Sequence, residues 1–122
     1  MNAKRILIVE DTEDNRQIMR DLLSSVGFEL MEAHDGEQAV TAAAAFLPDL
    51  IMMDIQLPII DGYEAIRRIK ANGALRHIPI VAVTSYALSG DEEKARAVGC
   101  DGYIAKPFSP RHLLATVCGL LK

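Results

Sequence analysis

Asp54 follows four consecutive apolar residues in the stretch LIMMDIQLPIIDG, residues 50–62. A carboxylate in such surroundings is costly unless something pairs with it or binds it. Three other apolar runs end in groups that could do so. Run 6–9 is followed by Glu10 and Asp11, run 78–83 by Thr84 and Ser85, and run 102–105 by Lys106 and Pro107. If these runs are parallel strands of one sheet, three acids, two hydroxyls and one ammonium meet on one rim. Two carboxylates ~4 Å apart repel by roughly 4 kcal/mol at an effective dielectric near 20, so three together need raised pKa values or a cation. A hard divalent ion suits an oxygen-only cluster, and Mg²⁺ takes one or two carboxylates plus waters and a phosphate oxygen. With the metal masking negative charge, Asp54 can attack phosphorus as an aspartyl nucleophile. Lys106 and the Thr84 hydroxyl would then stabilise the equatorial oxygens of the transferred group. Taken singly, each of these residues has an ordinary structural reading as a turn, cap or surface residue. Four strand ends with complementary chemistry make chance a poor explanation.

The elements that must place these groups are legible in the spacing. The five runs, 6–9, 28–33, 50–53, 78–83 and 102–105, alternate with helical patterns, which predicts βαβ units. Ile18, Met19, Leu22, Leu23 and Val26 form an apolar stripe, with Gly27 in a C-terminal cap position. Asp35 with Gln38, Asp61 with Glu64 and Ser89 with Glu92 read as N-terminal cap pairs, and Ser109-Pro110 as a further helix start. The last helix is expected to bury Leu113, Leu114, Val117, Leu120 and Leu121. The fold class is α/β: a single doubly wound domain with a five-stranded parallel sheet and helices on both faces. In such sheets ligands bind at the carboxyl ends of the strands.

The totals bound the function. At 122 residues, half of them apolar, the chain suits one domain, residues 1–122. Thirteen Lys and Arg against seventeen Asp and Glu give a net charge of −4, which argues against direct nucleic acid binding and against anionic membrane surfaces. No segment approaches the ~20 apolar residues of a membrane span, and the apolar run 6–9 meets Glu10 and Asp11 too early to read as a signal peptide, so a cytoplasmic protein is expected. Cys100 and Cys118 are too few for a disulfide framework and read as buried free thiols.

These residues resemble the receiver domains of two-component response regulators. ILIVEDTEDNR is similar to the acidic opening of that family, LIMMDIQLPIIDGYE to its phosphoacceptor segment, IPIVAVTSYA to its hydroxyl strand and DGYIAKPF to its lysine signature. The wording GDEEKARAVGCDGYIAKPF looks most like DivK-type single-domain regulators and the receivers of hybrid kinases. The resemblance implies the flavodoxin-like strand order 2-1-3-4-5, an order for which the chemotaxis receiver is the standing example. It implies phosphorylation of Asp54, metal binding by Glu10, Asp11, Asp54 and the Gln56 backbone carbonyl, and phosphoryl contacts from Thr84 and Lys106. It further implies a cis peptide before Pro107, and Tyr103 as the aromatic partner of Thr84 in a two-state switch. Glu10 stands where Asp is commoner, a longer arm able to reach the ion through water. Gln56 and Tyr86 would flank the path of attacking water.

Competing readings meet specific obstacles. A dinucleotide site at the first turn would need G-x-G-x-x-G, and the turn reads EDTEDN. A phosphatase of the haloacid dehalogenase type would need a second Asp where Gln56 stands, and a calcium loop from Asp11 meets Leu22 at its twelfth position. The expected function is a switch rather than a turnover enzyme. Asp54 would take a phosphoryl group from a phosphohistidine on a sensor histidine kinase or a histidine phosphotransfer protein. With no output domain expected beyond the last helix, the signal would leave through protein contacts on the fourth helix, fifth strand and fifth helix, a face containing Asp91, Glu92, Glu93, Lys94, Arg96, Tyr103 and Arg111. The alternative is the receiver of a hybrid histidine kinase acting as a relay.

Overall fold

The computed structural model describes residues 3–85 and 91–121. Strands β1 (Arg5–Val9), β2 (Glu29–Ala33), β3 (Leu50–Asp54), β4 (Ile80–Thr84) and β5 (Gly102–Ala105) alternate with helices α1 (Glu13–Ser24), α2 (Gly36–Phe46), α3 (Gly62–Ala71), α4 (Asp91–Ala97) and α5 (Pro110–Leu120). All pairings are parallel, and the sheet order is β2-β1-β3-β4-β5, as the resemblance implied. The runs at 28 and 78 begin one and two residues before their strands, while β3 and β4 extend to include Asp54 and Thr84 themselves.

Strand alternation sorts the core into two layers. Leu7, Val9, Ile51, Met53, Ile80 and Ala82 pack with Ala39, Phe46, Ile66 and Ile69 on the α2–α3 side. Ile6, Ile8, Leu50, Met52, Val81 and Val83 pack with Met19, Leu23, Leu113 and Val117 on the α1–α5 side. Strands β1, β3 and β4 are therefore apolar on both faces, and β2 at the edge is not. A one-residue slip in register would exchange the two layers, which fixes where each strand ends and hence where Asp54 stands.

Three caps form as read: Asp35 accepts from the Gln38 N–H at 2.8 Å, Asp61 from the Glu64 N–H at 2.9 Å and Ser109 from the His112 N–H at 3.2 Å. Gly27 has φ +92°, two residues past the C-cap of α1, Ser25. The Ser89 cap lies outside the described residues, as does Tyr86. Helix α1 corrects the expected stripe: Arg16, Met19 and Leu23 face the sheet, whereas Ile18 and Val26 are about half exposed, at 53% and 50%. The buried face follows the 16, 19, 23 spacing, and its first position is a charged residue whose guanidinium donates to the Glu10 carbonyl and pairs with Glu13 and Glu32. Helix α5 buries Leu113 and Val117, with Leu114, Leu120 and Leu121 half-buried. Cys100 is buried, but Cys118 is exposed on the outer face of α5, so only one of the two thiols belongs to the core.

Candidate metal and phosphoryl site

The carboxyl ends of β1, β3, β4 and β5 converge as the spacing predicts. A cavity of about 240 Å³ is lined, among the described residues, by Glu10, Asp11, Thr12, Asn15, Asp54, Gln56, Ser85 and Lys106. Asp54 is the last residue of β3, in register with Val83 on β4. One of its oxygens accepts the Gln56 N–H at 3.0 Å, the local turn that Asp side chains favour, and the other faces Lys106 at 3.3 Å. Glu10 extends β1 by donating its N–H to the Ala33 carbonyl at 3.1 Å. Its side chain accepts from Lys106 Nζ at 2.6 Å, and at 3.4 Å from both the Thr12 N–H and Asn15 Nδ2. Lys106 reaches in from the far edge because its N–H continues the β5 ladder to the Thr84 carbonyl at 2.8 Å, and the Lys106–Pro107 peptide is cis.

The electrostatics are those of an excess of negative charge. Glu10 and Asp54 are almost completely buried, 1% and 3% exposed, and one ammonium serves both. Burial, reinforced by the hydrogen bond and charge of Glu10, pushes the Asp54 carboxyl up to about 7, against the opposing pull of Lys106. Burial also pushes Glu10 upward, but the hydrogen bonds from Lys106 and Asp54, with the Lys106 charge, outweigh it and leave Glu10 below the usual carboxylate range. Lys106 is raised in turn: its desolvation is outweighed by the Glu10 hydrogen bond and the two acidic charges. Carboxylate oxygens of Glu10, Asp11 and Asp54 all lie within 4.8 Å of one another, and Asp11 is solvent-exposed at the mouth. Oxygen donors only, with negative charge left over after Lys106, suit a hard divalent cation.

Two features beyond the expected residues support the rim. Arg16 is buried, donates from Nη1 to the Glu10 carbonyl at 2.7 Å, and pairs with Glu13 at 2.5 Å and Glu32 at 3.2 Å. Arg20 completes that network with Glu32 and Glu13. The sequence signal for Arg16 was a charged residue three positions before Met19 and seven before Leu23, in line with the buried stripe. Gly62 lies against the backbone of Asp54, where a Cβ would run into the Asp54 carbonyl oxygen, and its N–H donates to the Ile55 carbonyl at 2.9 Å.

Thr84 is buried at the end of β4, and its hydroxyl oxygen accepts from Gln56 Nε2 at 2.7 Å. Tyr103 is half-buried on β5, packed against the α2–α3 core layer. On the expected output face, Glu92, Glu93, Lys94, Arg96 and Arg111 are exposed. Lys94 Nζ stands 4.5 Å from the centroid of the Tyr63 ring, and the Asp91 side chain lies outside the described residues. No helix among the described residues is long and apolar enough to cross a membrane.

The sequence profile of the response regulator receiver domain matches residues 6–118. The polar-differentiation response regulator DivK of Brucella anthropi is 44% identical over 114 residues, spanning 93% of each chain, and DivK of Brucella suis is similar at 44% over 115 residues, 94% of each. Among solved structures, the receiver domain of a sensor histidine kinase from Pseudomonas aeruginosa PAO1 superposes with a TM-score of 0.91 at 38% identity, covering 98% of each chain. That structure holds a magnesium ion in its active-site cleft. A chemotaxis response regulator of Vibrio cholerae superposes with a TM-score of 0.92 at 28% identity, covering 98% of this chain and all of the other.

Proposed function

This chain belongs to the response regulator receiver domain family, and on that premise we propose that Asp54 is the residue through which it acts as a phosphoacceptor switch in two-component signalling. The observation that carries the assignment is the position of Asp54. It is a buried carboxylate at the end of a central strand, between a second acid and an ammonium. Glu10, Asp11 and Asp54, with the Gln56 backbone carbonyl, would hold Mg²⁺. The ion, when bound, neutralises the acids and the incoming phosphoryl oxygens.

In the transfer, an Asp54 carboxylate oxygen attacks phosphorus as the P–N bond to a donor imidazole breaks. The electron pair remains on the imidazole nitrogen, which is then protonated from solvent. Lys106 balances charge on the transferred group, and Thr84 donates to one of its oxygens. Hydrolysis reverses the state: water oxygen attacks phosphorus, the P–O bond to Asp54 breaks, and inorganic phosphate leaves. Gln56 tunes that step by flanking the water's path.

The donor is a phosphohistidine on a sensor kinase or phosphotransfer protein in the cytoplasm. Phosphorylation biases a two-state element built on Thr84 and Tyr103, shifting the affinity of a downstream protein on the α4-β5-α5 face by about 1–3 kcal/mol. The likeness to DivK over nearly its whole length supports a single-domain regulator, residues 1–122. The likeness to a sensor kinase receiver supports the relay as a second reading. Intact mass after incubation with acetyl phosphate tests the core of the assignment. One phosphoryl group is expected on the wild type with Mg²⁺, and none without Mg²⁺ or in Asp54→Asn. Equal uptake by Asp54→Asn would end it. Pull-down of partners by both states separates regulator from relay.

A further inference from the structure

The Gln56 side chain joins two segments of the site that are distant in sequence. Its Nε2 donates to Thr84 Oγ1 at 2.7 Å, and its Oε1 accepts the Ser85 N–H at 3.2 Å. The second bond fixes the first, since a backbone N–H can meet only the amide oxygen, so the NH₂ group must face Thr84. One amide thus grips two successive residues at the end of β4. The backbone N–H of the same residue holds Asp54. Gln56 and Ser85 line the cavity, while Thr84 is 1% exposed, so the hydroxyl sits behind the amide rather than on the surface a phosphoryl group would meet.

We propose that Gln56 is a positioning residue that latches Thr84 in its resting place, so that a phosphoryl group on Asp54 draws in the hydroxyl only by displacing the Gln56 amide. The inference rests on the reading of Asp54 as phosphoacceptor. It is separate from any part Gln56 plays in water attack, because the latch acts on binding of the phosphoryl group and not on its removal.

Beryllofluoride, a phosphoryl mimic that is not hydrolysed, is titrated in excess Mg²⁺ into wild type, Gln56→Met, Thr84→Ala and the double variant. Methionine keeps the length of the side chain and removes the amide. Loss of one competing hydrogen bond should make Gln56→Met bind about three- to tenfold tighter than wild type. In the Thr84→Ala background, Gln56→Met should leave affinity unchanged, since no hydroxyl remains to be released toward the phosphoryl group. The Ser85 amide reports the latch without ligand, and its hydrogen exchange should be faster in Gln56→Met. Equal or weaker binding by Gln56→Met, or a gain that persists without Thr84, overturns the latch. Failure of the Asp54 reading shows in different arms, as a wild type that ignores beryllofluoride or an Asp54→Asn variant that binds it equally well.

Discussion

The molecule holds two lysines against carboxylates at opposite ends of its sheet, and the two are used differently. Near the amino end of β4, Lys70 Nζ donates to Asp101 at 3.1 Å and to the carbonyls of Arg76 and Ile78 at 3.1 and 2.9 Å. The same Asp101 oxygen accepts the Ile80 N–H at 2.9 Å. One acid meets one ammonium, and the remaining donors go to backbone. At the carboxyl end, Lys106 faces Glu10 and Asp54 together, with Asp11 beside them. The first arrangement is complete and ties the α3–β4 connection to the start of β5. The second leaves negative charge over, in a cavity with room for a ligand. A lysine–carboxylate pair by itself does not mark a functional site; the charge left unbalanced after all local partners are counted does.

Replacing each lysine by methionine breaks the two arrangements in different ways. Lys106→Met should slow phosphate uptake from acetyl phosphate about 10²–10³-fold, the usual cost of removing one donor to developing charge. The same change should tighten Mg²⁺ binding, because the ion no longer competes with an ammonium. Lys70→Met should leave uptake within about twofold and lower stability by about 2–3 kcal/mol in urea unfolding, since it strands partly buried acceptors. A Lys70→Met that lost uptake would dissolve the distinction between the two ends.

Next in size is Gly62→Ala. The added Cβ would press on the Asp54 carbonyl, so the loop or the strand end must shift. A loss of about 1–3 kcal/mol is expected, with weaker Mg²⁺ binding as the readout that separates damage at the site from damage to the fold.

How far these contrasts could be read beforehand depended on the element. The three central strands declared themselves because burial on both faces demands continuous apolar runs, and their ends then fixed Glu10, Asp54 and Thr84 on one rim. Local caps at Asp35, Asp61 and Ser109 were equally legible, since each needs only a residue three positions away. Helix α1 was misjudged at Ile18 and Val26 because apolar spacing cannot register a buried arginine, and the partners that make Arg16 tolerable, Glu13 and Glu32, come from two elements. The side-chain bridge from Gln56 to Thr84 joins residues 28 positions apart, and no local pattern encodes it. The thiols were treated alike, but which face of α5 holds Cys118 depends on how the helix docks.

The smallest effects give the sharpest form of the comparison, because one substitution, Asp to Asn, should change sign between the two ends. At position 54 the folded protein binds a proton more tightly than the unfolded chain, with the carboxyl at about 7 instead of its ordinary 3.8. Stability of the metal-free protein therefore falls as pH rises from near 4 to near 7, wherever the folded state holds the proton and the unfolded state has lost it. Asp54→Asn removes that cost and should stabilise the metal-free protein at pH 8 by about 2 kcal/mol, allowing for local relaxation. The gain should vanish near pH 4 and shrink when Mg²⁺ is added to the wild type. At position 101 the carboxylate is matched to Lys70 and the Ile80 N–H, and asparagine keeps an acceptor but loses the charge. Asp101→Asn should therefore destabilise by about 0.5–1 kcal/mol, the scale of a partly exposed pair, with no response to Mg²⁺. Thermal unfolding of both variants at pH 4 and pH 8 measures this directly, and equal signs at the two positions would mean that the rim carries no excess charge for a metal to neutralise.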